Sequence, residues 1–432
     1  MVSSELITEL KERRLVLDST PEDELAPHLN LQPRTFYVGF DPTADSLHVG
    51  SLMPLVATRR LQLFGHRPIV LVGGGTGLIG DPSGKIGERT LNAPDKVAAF
   101  SASLKNQVGR FVEFESGKNG ALLVDNHQWL SELDAISFLR DIGKHFSVGM
   151  MLAKDSVRSR IDRDGGGISF TEFSYMILQA YDYLMLHRQH DATLQLGGSD
   201  QWGNITAGIE LIRRVTGTKV HGLTLPLVAK SDGTKFGKSE SGTIWLDAAK
   251  TSPYEMYQFW LGSSDADVTK FLAYFTFLPV SALAELAQET ERHPERRLAQ
   301  KTLAEEVTRL VHGDRSLEEA RRITHAFFHG SLEQLNESEF AHAVRSAPHC
   351  VRDSGQGGIG ICDALVLAKL APSRTRAREL VDSRSVTVNG AVARDANDLI
   401  VADTALFGRF SLIRRGKKSF FIIVWNGDQQ HR

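Results

Sequence analysis

The sequence predicts an α/β protein built on a doubly wound parallel sheet, followed by an all-helical domain and a small α+β domain. Three observations carry this. Apolar runs at 36–40 and 69–72 have the continuous character of strands buried on both faces, and each ends in a turn of glycines, acids or both before helical periodicity resumes. Helical patterns alone fill residues 253 to about 329. The tail is small and basic, with 13 Lys/Arg against 8 Asp/Glu over residues 350–432, in a chain whose net charge is only −2.

At 432 residues the chain exceeds what one core usually supports, so several domains are expected. Cys350 and Cys362 are spaced unlike a zinc site and are too few for a disulfide framework, which suits a reducing compartment. The N-terminal pattern has no apolar core of signal-peptide length, and no later run could span a bilayer. A cytoplasmic location is expected.

Residues 6–15 read as a helix, and 18–21 as a polar approach to the first strand. That strand, 36–40, is stopped by Asp41-Pro42. From His48 the period changes: Val49, Leu52, Val56 and Leu63 fall near helical spacing and Gly65 closes the run. Such a strand-turn-helix offers unpaired backbone N–H groups to an anion, with Thr43 and His48 adding donors. An ordinary strand-helix junction with an exposed His reads the same way.

The second strand, 69–72, runs into a glycine-rich loop in which Gly75-Thr76-Gly77-Leu78-Ile79-Gly80 matches the dinucleotide fingerprint. Context excludes it. Pro82 and Gly84 interrupt the helix that should hold a pyrophosphate, and the position for a ribose-binding acid about 20 residues on reads as helix. Gly84-Lys85 also lacks the rest of a P-loop. What remains is a loop whose Asp81, Lys85 and Arg89 could bring one carboxylate and two cations to a ligand, or a solvated turn.

Residues 94–114 read as an amphipathic helix, 122–124 as a strand and 134–140 as another helix. Over 169–186 a helix apolar nearly all round is predicted, with Thr171 as N-cap. Tyr175, Gln179 and Asp182 lie at i, i+4 and i+7, hence on one face, and a buried carboxylate needs partners. The stripe faces a small polar ligand or closes an internal network. The strand 194–196 leads to Gly197-Gly198-Ser199-Asp200-Gln201-Trp202-Gly203-Asn204 and a helix over 205–214. Asp200 and Gln201 are thereby directed to the crevice of Gly39 and His48, with Asp200 accepting from ribose hydroxyls or capping the helix. The loop 230–242, with Lys230, Lys235 and Lys238, reads as a lid for polyphosphate or as a solvated linker. Boundaries follow at 1–250, 251–335 and 361–432, with 336–360 a weakly ordered linker. In the tail, 373–381 reads as a basic helix, Val386-Thr387-Val388-Asn389-Gly390 as a hairpin signal, and Arg414, Arg415, Lys417 and Lys418 as a basic cluster, together suited to RNA backbone.

These segments, in this order, resemble one family. Residues 41–51 resemble the HIGH signature of class I aminoacyl-tRNA synthetases, and Lys235-Phe236-Gly237-Lys238-Ser239 their KMSKS signature. With Tyr37, Gly80-Asp81-Pro82-Ser83-Gly84, the Tyr175/Gln179/Asp182 face and the 198–204 segment, the chain is similar over nearly its whole length to the bacterial tyrosyl-tRNA synthetases. Its tail looks like the small RNA-binding domain named after ribosomal protein S-four. The resemblance implies a Rossmann-like catalytic domain, an anticodon-side helical domain, and activation of L-tyrosine by ATP to tyrosyl-adenylate and pyrophosphate before transfer to the 3′ end of a tyrosine tRNA. It implies that Thr43, His48, Lys85, Arg89, Lys235 and Lys238 stabilise the transferring and leaving phosphates. Tyr37 and Asp182 would bind the phenolic hydroxyl, Asp81, Tyr175 and Gln179 the amino group, and Gln201 would also contact tyrosine. Gly39, Asp41, Gly50, Ser51, Gly198, Asp200 and Ser239 would join His48 and the loop lysines around ATP. Arg374, Arg376 and Arg378 would join the basic cluster on the tRNA. Mg²⁺ would arrive bound to ATP, since no carboxylate cluster resembles a metal cage, and a homodimer is expected, with 168–170 a candidate contact. The chain departs from the signature at Ser51, where the family has a second His; Ser keeps a donor and an acceptor but is shorter and never cationic. A synthetase-like RNA-binding protein with reduced catalysis is the alternative, and a tryptophan enzyme of the same class a nearer rival.

Overall fold

The computed structural model describes residues 4–83, 93–115, 117–154, 157–158, 161, 167–234, 236–239, 242–329, 335–416 and 419–426. They form two compact units, Met1–Thr251 with Trp260–Val311, and Ser252–Phe259 with His312–Arg432.

The first unit holds a five-stranded sheet of β1 (Thr35–Phe40), β2 (Arg67–Val72), β3 (Leu122–Asp125), β4 (Ala192–Gly198) and β5 (His221–Leu225), in the order β3-β2-β1-β4-β5. Every pairing is parallel. The apolar strands make this the expected doubly wound architecture, because helices cover both faces. Helix α1 (Val49–Leu63) carries the chain from β1 to β2, α2 (Pro94–Val108) from β2 to β3, and α4 (Trp202–Thr216) from β4 to β5. Between β3 and β4 lies α3 (Phe170–His190). Strand order reverses between β1 and β4, and a crevice therefore opens beyond their carboxyl ends. Tyr37 of β1 stands in register with Ile69 of β2 and Gln195 of β4, and packs with Met176, Ala180, Tyr183 and Leu184 of α3 in one core.

Local signals mostly hold, with shifted ends. The N-cap of α3 is Ser169, whose Oγ accepts from Glu172 N at 3.2 Å, and Thr171 lies inside the helix. Helix α2 stops at Val108, short of residue 114, because Gly109 and the turn after it end the ladder. The fingerprint-like glycines form one 3-10 turn, Thr76–Leu78, not a nucleotide-binding helix.

The helical region and the linker do not divide as expected. Helices Pro253–Leu261, α5 (Asp265–Phe275), Val280–Arg292 and Leu298–His329 are present, but residues 260–311 belong to the first unit. Gly313, at φ 82, interrupts the last helix where the units divide. Residues 336–360 are structured. Asn336 opens α6 (Glu337–Ser346) through a capping box with Glu339, and His349–Asp353 is a strand. That strand pairs with Ser419–Asn426 as the edge of a second sheet, whose other members are Val386–Val388, Ala391–Val392 and Phe410–Arg415. Its glycine-rich exit, 354–358, mimics a linker in composition. Helix α7 (Arg374–Asp382) packs Ala377, Leu380 and Val381 into the same core as Ile413, Ile423 and Trp425. No helix among the described residues is long and apolar enough to cross a membrane.

Candidate active site

A cavity of about 550 Å³ occupies the crevice at the β1/β4 switch point, lined by Tyr37, Gly39, Asp41, Thr43, His48 and Ser51 from β1 and the start of α1. Asp81, the α3 stripe Tyr175, Gln179 and Asp182, and Gly198, Asp200 and Gln201 after β4 complete the ring of expected residues. The fold thus brings together segments far apart in sequence.

The floor is a buried polar network. Asp182, 2% exposed, accepts from Asn126 Nδ2 at 2.9 Å and from Trp129 Nε1 at 2.8 Å. Burial pushes its carboxyl up to about 7, outweighing those two donors, which favour the charged form. Asn126 also donates to Thr76 Oγ1 at 3.0 Å, and Thr76 donates to Asp41 Oδ1 at 2.8 Å. Tyr175 donates to the other Asp41 oxygen at 2.7 Å, and burial raises its phenol pKa well above the ordinary value. This chain closes only because position 73 is glycine: a Cβ there would fall 2.1 Å from Asp41 Oδ1 and 2.5 Å from Thr76 Oγ1.

Beside Asp182, Tyr37 is 1% exposed, and its hydroxyl has no hydrogen-bond partner among the described residues. Burial, with the charge of Asp182 added, holds its pKa well above 10.0. An unpaired buried hydroxyl is costly unless a ligand satisfies it.

A second network also lines the cavity. Asp81 accepts from Gln201 Nε2 at 2.6 Å and from Ser83 N at 2.9 Å. Asn204 donates to Gln179 Oε1 at 2.9 Å and to Gln201 Oε1 at 3.3 Å. Asp200 lines the cavity with its pKa raised by burial and by the charge of Asp81. At the mouth, His48 caps α1, its Nδ1 accepting from Gly50 N at 3.0 Å. That bond places the ring proton on Nε2. Desolvation lowers the His48 pKa, so the ring is neutral near pH 7 with a donor left over.

Lys85, Arg89, Lys235, Lys417 and Lys418 lie outside the described residues. Lys238–Ser239 is a short strand paired with Gly242–Thr243. In the second unit Arg374, Arg376 and Arg378 are exposed, with Asp363, Glu379 and Asn397 as partners. Arg415 donates to Leu370 O at 2.7 Å. Arg414 corrects the expectation of a wholly RNA-facing cluster: it turns inward, donates to Phe327 O and Ala326 O, and has its pKa lowered by burial. Alternation along Phe410–Arg415 separates the two arginines, a distinction that a run of basic letters conceals.

Thr76, Asn126, Trp129 and Asn204 were not expected in the site. Asn126 follows directly on β3, at the carboxyl edge where ligands bind, and that position was its available signal. Nothing in the sequence pairs Trp129 with Asp182.

Residues 30–329 match the family model described as tRNA synthetases class I (W and Y), and residues 339–423 match the tyrosine–tRNA ligase SYY-like C-terminal domain. The tyrosine–tRNA ligase of Geobacillus stearothermophilus is 53% identical over 420 residues, 97% of this chain and 99% of that one. That of Aliivibrio salmonicida (strain LFI1238) is 51% identical over 424 residues, 98% of this chain and 99% of that one. Among solved structures, a C-terminally truncated mitochondrial tyrosyl-tRNA synthetase from Aspergillus nidulans is similar at a TM-score of 0.66 and 30% identity, covering 75% of this chain and 94% of that one. A tyrosyl-tRNA synthetase from Archaeoglobus fulgidus, solved with L-tyrosine, shares the fold at a TM-score of 0.55 and 17% identity, over 73% of this chain and 98% of that one. Signatures, cavity and full-length likeness agree: the chain belongs to the tyrosine–tRNA ligases, within the class I aminoacyl-tRNA synthetases.

Proposed function

We propose that this ligase seats tyrosine with its phenol on the cavity floor, between Tyr37 and Asp182, and its amino group against Asp81, Tyr175, Gln179 and Gln201. The pairing of an unpartnered buried hydroxyl with a carboxylate already oriented by Asn126 and Trp129 carries this reading. Phenylalanine would leave both groups unanswered in a desolvated site. Tyr175 spends its proton on Asp41, so its oxygen remains free to accept from an ammonium group.

The tyrosine carboxylate then attacks the α-phosphorus of ATP; the new C–O–P linkage forms as the bond to the β-phosphate oxygen breaks and pyrophosphate leaves. No protein nucleophile is required, and the enzyme contributes alignment and charge stabilisation. His48 Nε2–H, Thr43 and the N-terminus of α1 serve the phosphates, joined by Lys85, Arg89, Lys235 and Lys238. Gly39, Gly50 and Gly198 keep the backbone open to ATP, Asp200 takes the ribose, and Ser51 supplies one short hydroxyl to the nucleotide. Mg²⁺ accompanies ATP. The second unit then holds tRNA through Arg374, Arg376 and Arg378.

Retention of Tyr37, His48, Asp81 and Asp182 in one cavity, with relatives that are ligases over their full length, does not favour a chain that kept the scaffold and lost the chemistry. Ile136, Leu139, Val148, Met150 and Phe170 of the first unit are exposed, Phe170 by 73%, and apolar side chains left in water support the homodimer reading. Cytoplasmic work on tRNA fits the same picture. The test is amino-acid-dependent exchange of pyrophosphate into ATP by the full chain without tRNA. Exchange with tyrosine but not phenylalanine or tryptophan is expected; equal exchange with phenylalanine would overturn the assignment of Tyr37 and Asp182.

A further inference from the structure

Helix α5 contains neither signature, yet it is bound to both. Asp267, 3% exposed, gathers four donors: Ser231 N at 3.0 Å, Ser231 Oγ at 3.1 Å, Ser264 Oγ at 2.9 Å and Lys270 Nζ at 3.1 Å. Burial opposes ionisation there, but the hydrogen bonds prevail and hold the carboxyl below its ordinary pKa. Lys270 also donates to Ala229 O at 2.7 Å. Both contacts grip the entry to the lysine signature. Phe236, inside the signature, stacks on Phe275 at 5.6 Å and 9°, and lies 5.1 Å from Phe271.

The exit and the far end of the helix are tied to α1. Gly237, at φ +80, sits so close to Val49 that a Cβ would meet Val49 Cγ2 at 3.0 Å. Ile244 donates to Gly237 O at 3.0 Å, and Val49 N donates to Ile244 O at 3.0 Å. Arg60 of α1, 3% exposed, donates to Thr276 O at 2.7 Å, the carbonyl just past the end of α5. Helix α5 is therefore a strut whose C-terminus is held by the helix of the first signature and whose N-terminal half holds the loop of the second.

We propose that Asp267 is a positioning residue for tyrosine activation: through Ser231 and Lys270 it sets the entry of the 235–239 segment, and hence where its lysines meet the phosphates above α1. The inference rests on reading Lys235 and Lys238 as phosphate-binding groups. Asp267 touches no substrate. A charged acceptor that engages a backbone N–H, a hydroxyl and an ammonium at once fixes one geometry, whereas apolar packing alone tolerates several. In Asp267→Asn the size is kept, but the amide NH₂ must face donors that formerly met oxygen.

The experiment is pyrophosphate exchange by the full chain for Asp267→Asn, Lys238→Ala and the double variant, with tyrosine binding measured separately by equilibrium dialysis. Asp267→Asn is expected to lower kcat by about tenfold or more, the scale of a sub-ångström misplacement, while the tyrosine Kd stays within about twofold. The double variant is expected to lose less than the product of the two single losses, since with Lys238 gone a displaced loop misplaces only Lys235. Additive losses would assign Asp267 a merely structural role, and unchanged exchange in Asp267→Asn would overturn the proposal while leaving the lysine reading intact. Unchanged exchange in Lys238→Ala would overturn both. Should Asp267→Asn fail to fold, Ser231→Ala carries the same test, with a loss of about threefold expected and no loss contradicting the proposal.

Discussion

Tyrosine affinity should depend on pH through Asp182. Burial raises its carboxyl to about 7. A phenol donates far more strongly to a carboxylate than to a carboxylic acid, so substrate draws on the ionised fraction. If only that fraction binds, the apparent Kd scales as one plus ten to the power of pKa minus pH. With a pKa of about 7 the factor is about 1.1 at pH 8 and about 11 at pH 6, a tenfold weakening. The assay is equilibrium binding of tyrosine without ATP between pH 6 and 8, with phenylalanine as the control that has no hydroxyl to offer. A tyrosine Kd constant within twofold over that range would refute the reasoning, as would an equal trend for phenylalanine. Without substrate the same group acts on stability in the opposite sense. Its folded pKa lies above the ordinary 3.8, so its contribution is fully present below 3.8 and is lost as pH rises through about 7.

Tyr37→Phe should separate stability from function: removing an unpaired buried hydroxyl leaves the empty protein as stable or about 1 kcal/mol more stable, while kcat/KM for tyrosine falls about threefold to tenfold, and an unfolding free energy lowered by more than 1 kcal/mol would show that the hydroxyl has a partner after all. His66 is fully buried with its pKa lowered to about 4, so its contribution is present above 6.5 and is lost as pH falls towards 4, by about 2 kcal/mol at pH 5. Urea unfolding at pH 7 and pH 5 should show that loss in the wild type and a smaller one in His66→Asn, which keeps an acceptor for Arg34 N. Arg414→Ala should destabilise the second unit by about 2 kcal/mol through the carbonyls of Ala326 and Phe327 without changing the salt dependence of tRNA binding, whereas Arg374→Ala should reduce the salt slope by about one. An Arg414→Ala variant of full stability and reduced salt slope would return that residue to the RNA surface.

Much of the site was legible because its signals are local. A strand that must be buried on both faces is written as consecutive apolar letters, and the turn that ends it as glycine and aspartate, so β1, β2 and β4 and the loops beyond them could be placed from the sequence. Helical periodicity alone puts Tyr175, Gln179 and Asp182 on one face, and all three line the cavity. Composition misled at 336–360, where Ser354 and the glycines that follow it hid an edge strand whose partner lies some seventy residues on. It misled again at Arg414, since a basic run does not say which side chain faces inward.

By itself, then, the sequence determined the places of β1 to β4 and of the helices between them, the two signatures and the polar stripe on α3, because propensity and periodicity act over a few residues. Tertiary structure alone decided that Asn126 and Trp129 orient Asp182, that Thr76 and Gly73 complete the link to Asp41, that Arg414 caps a helix end, and that α5 braces the lysine loop against α1. Those pairings join groups tens to hundreds of positions apart. A hydrogen bond is set by distance and direction in space, and no spacing along the chain encodes either.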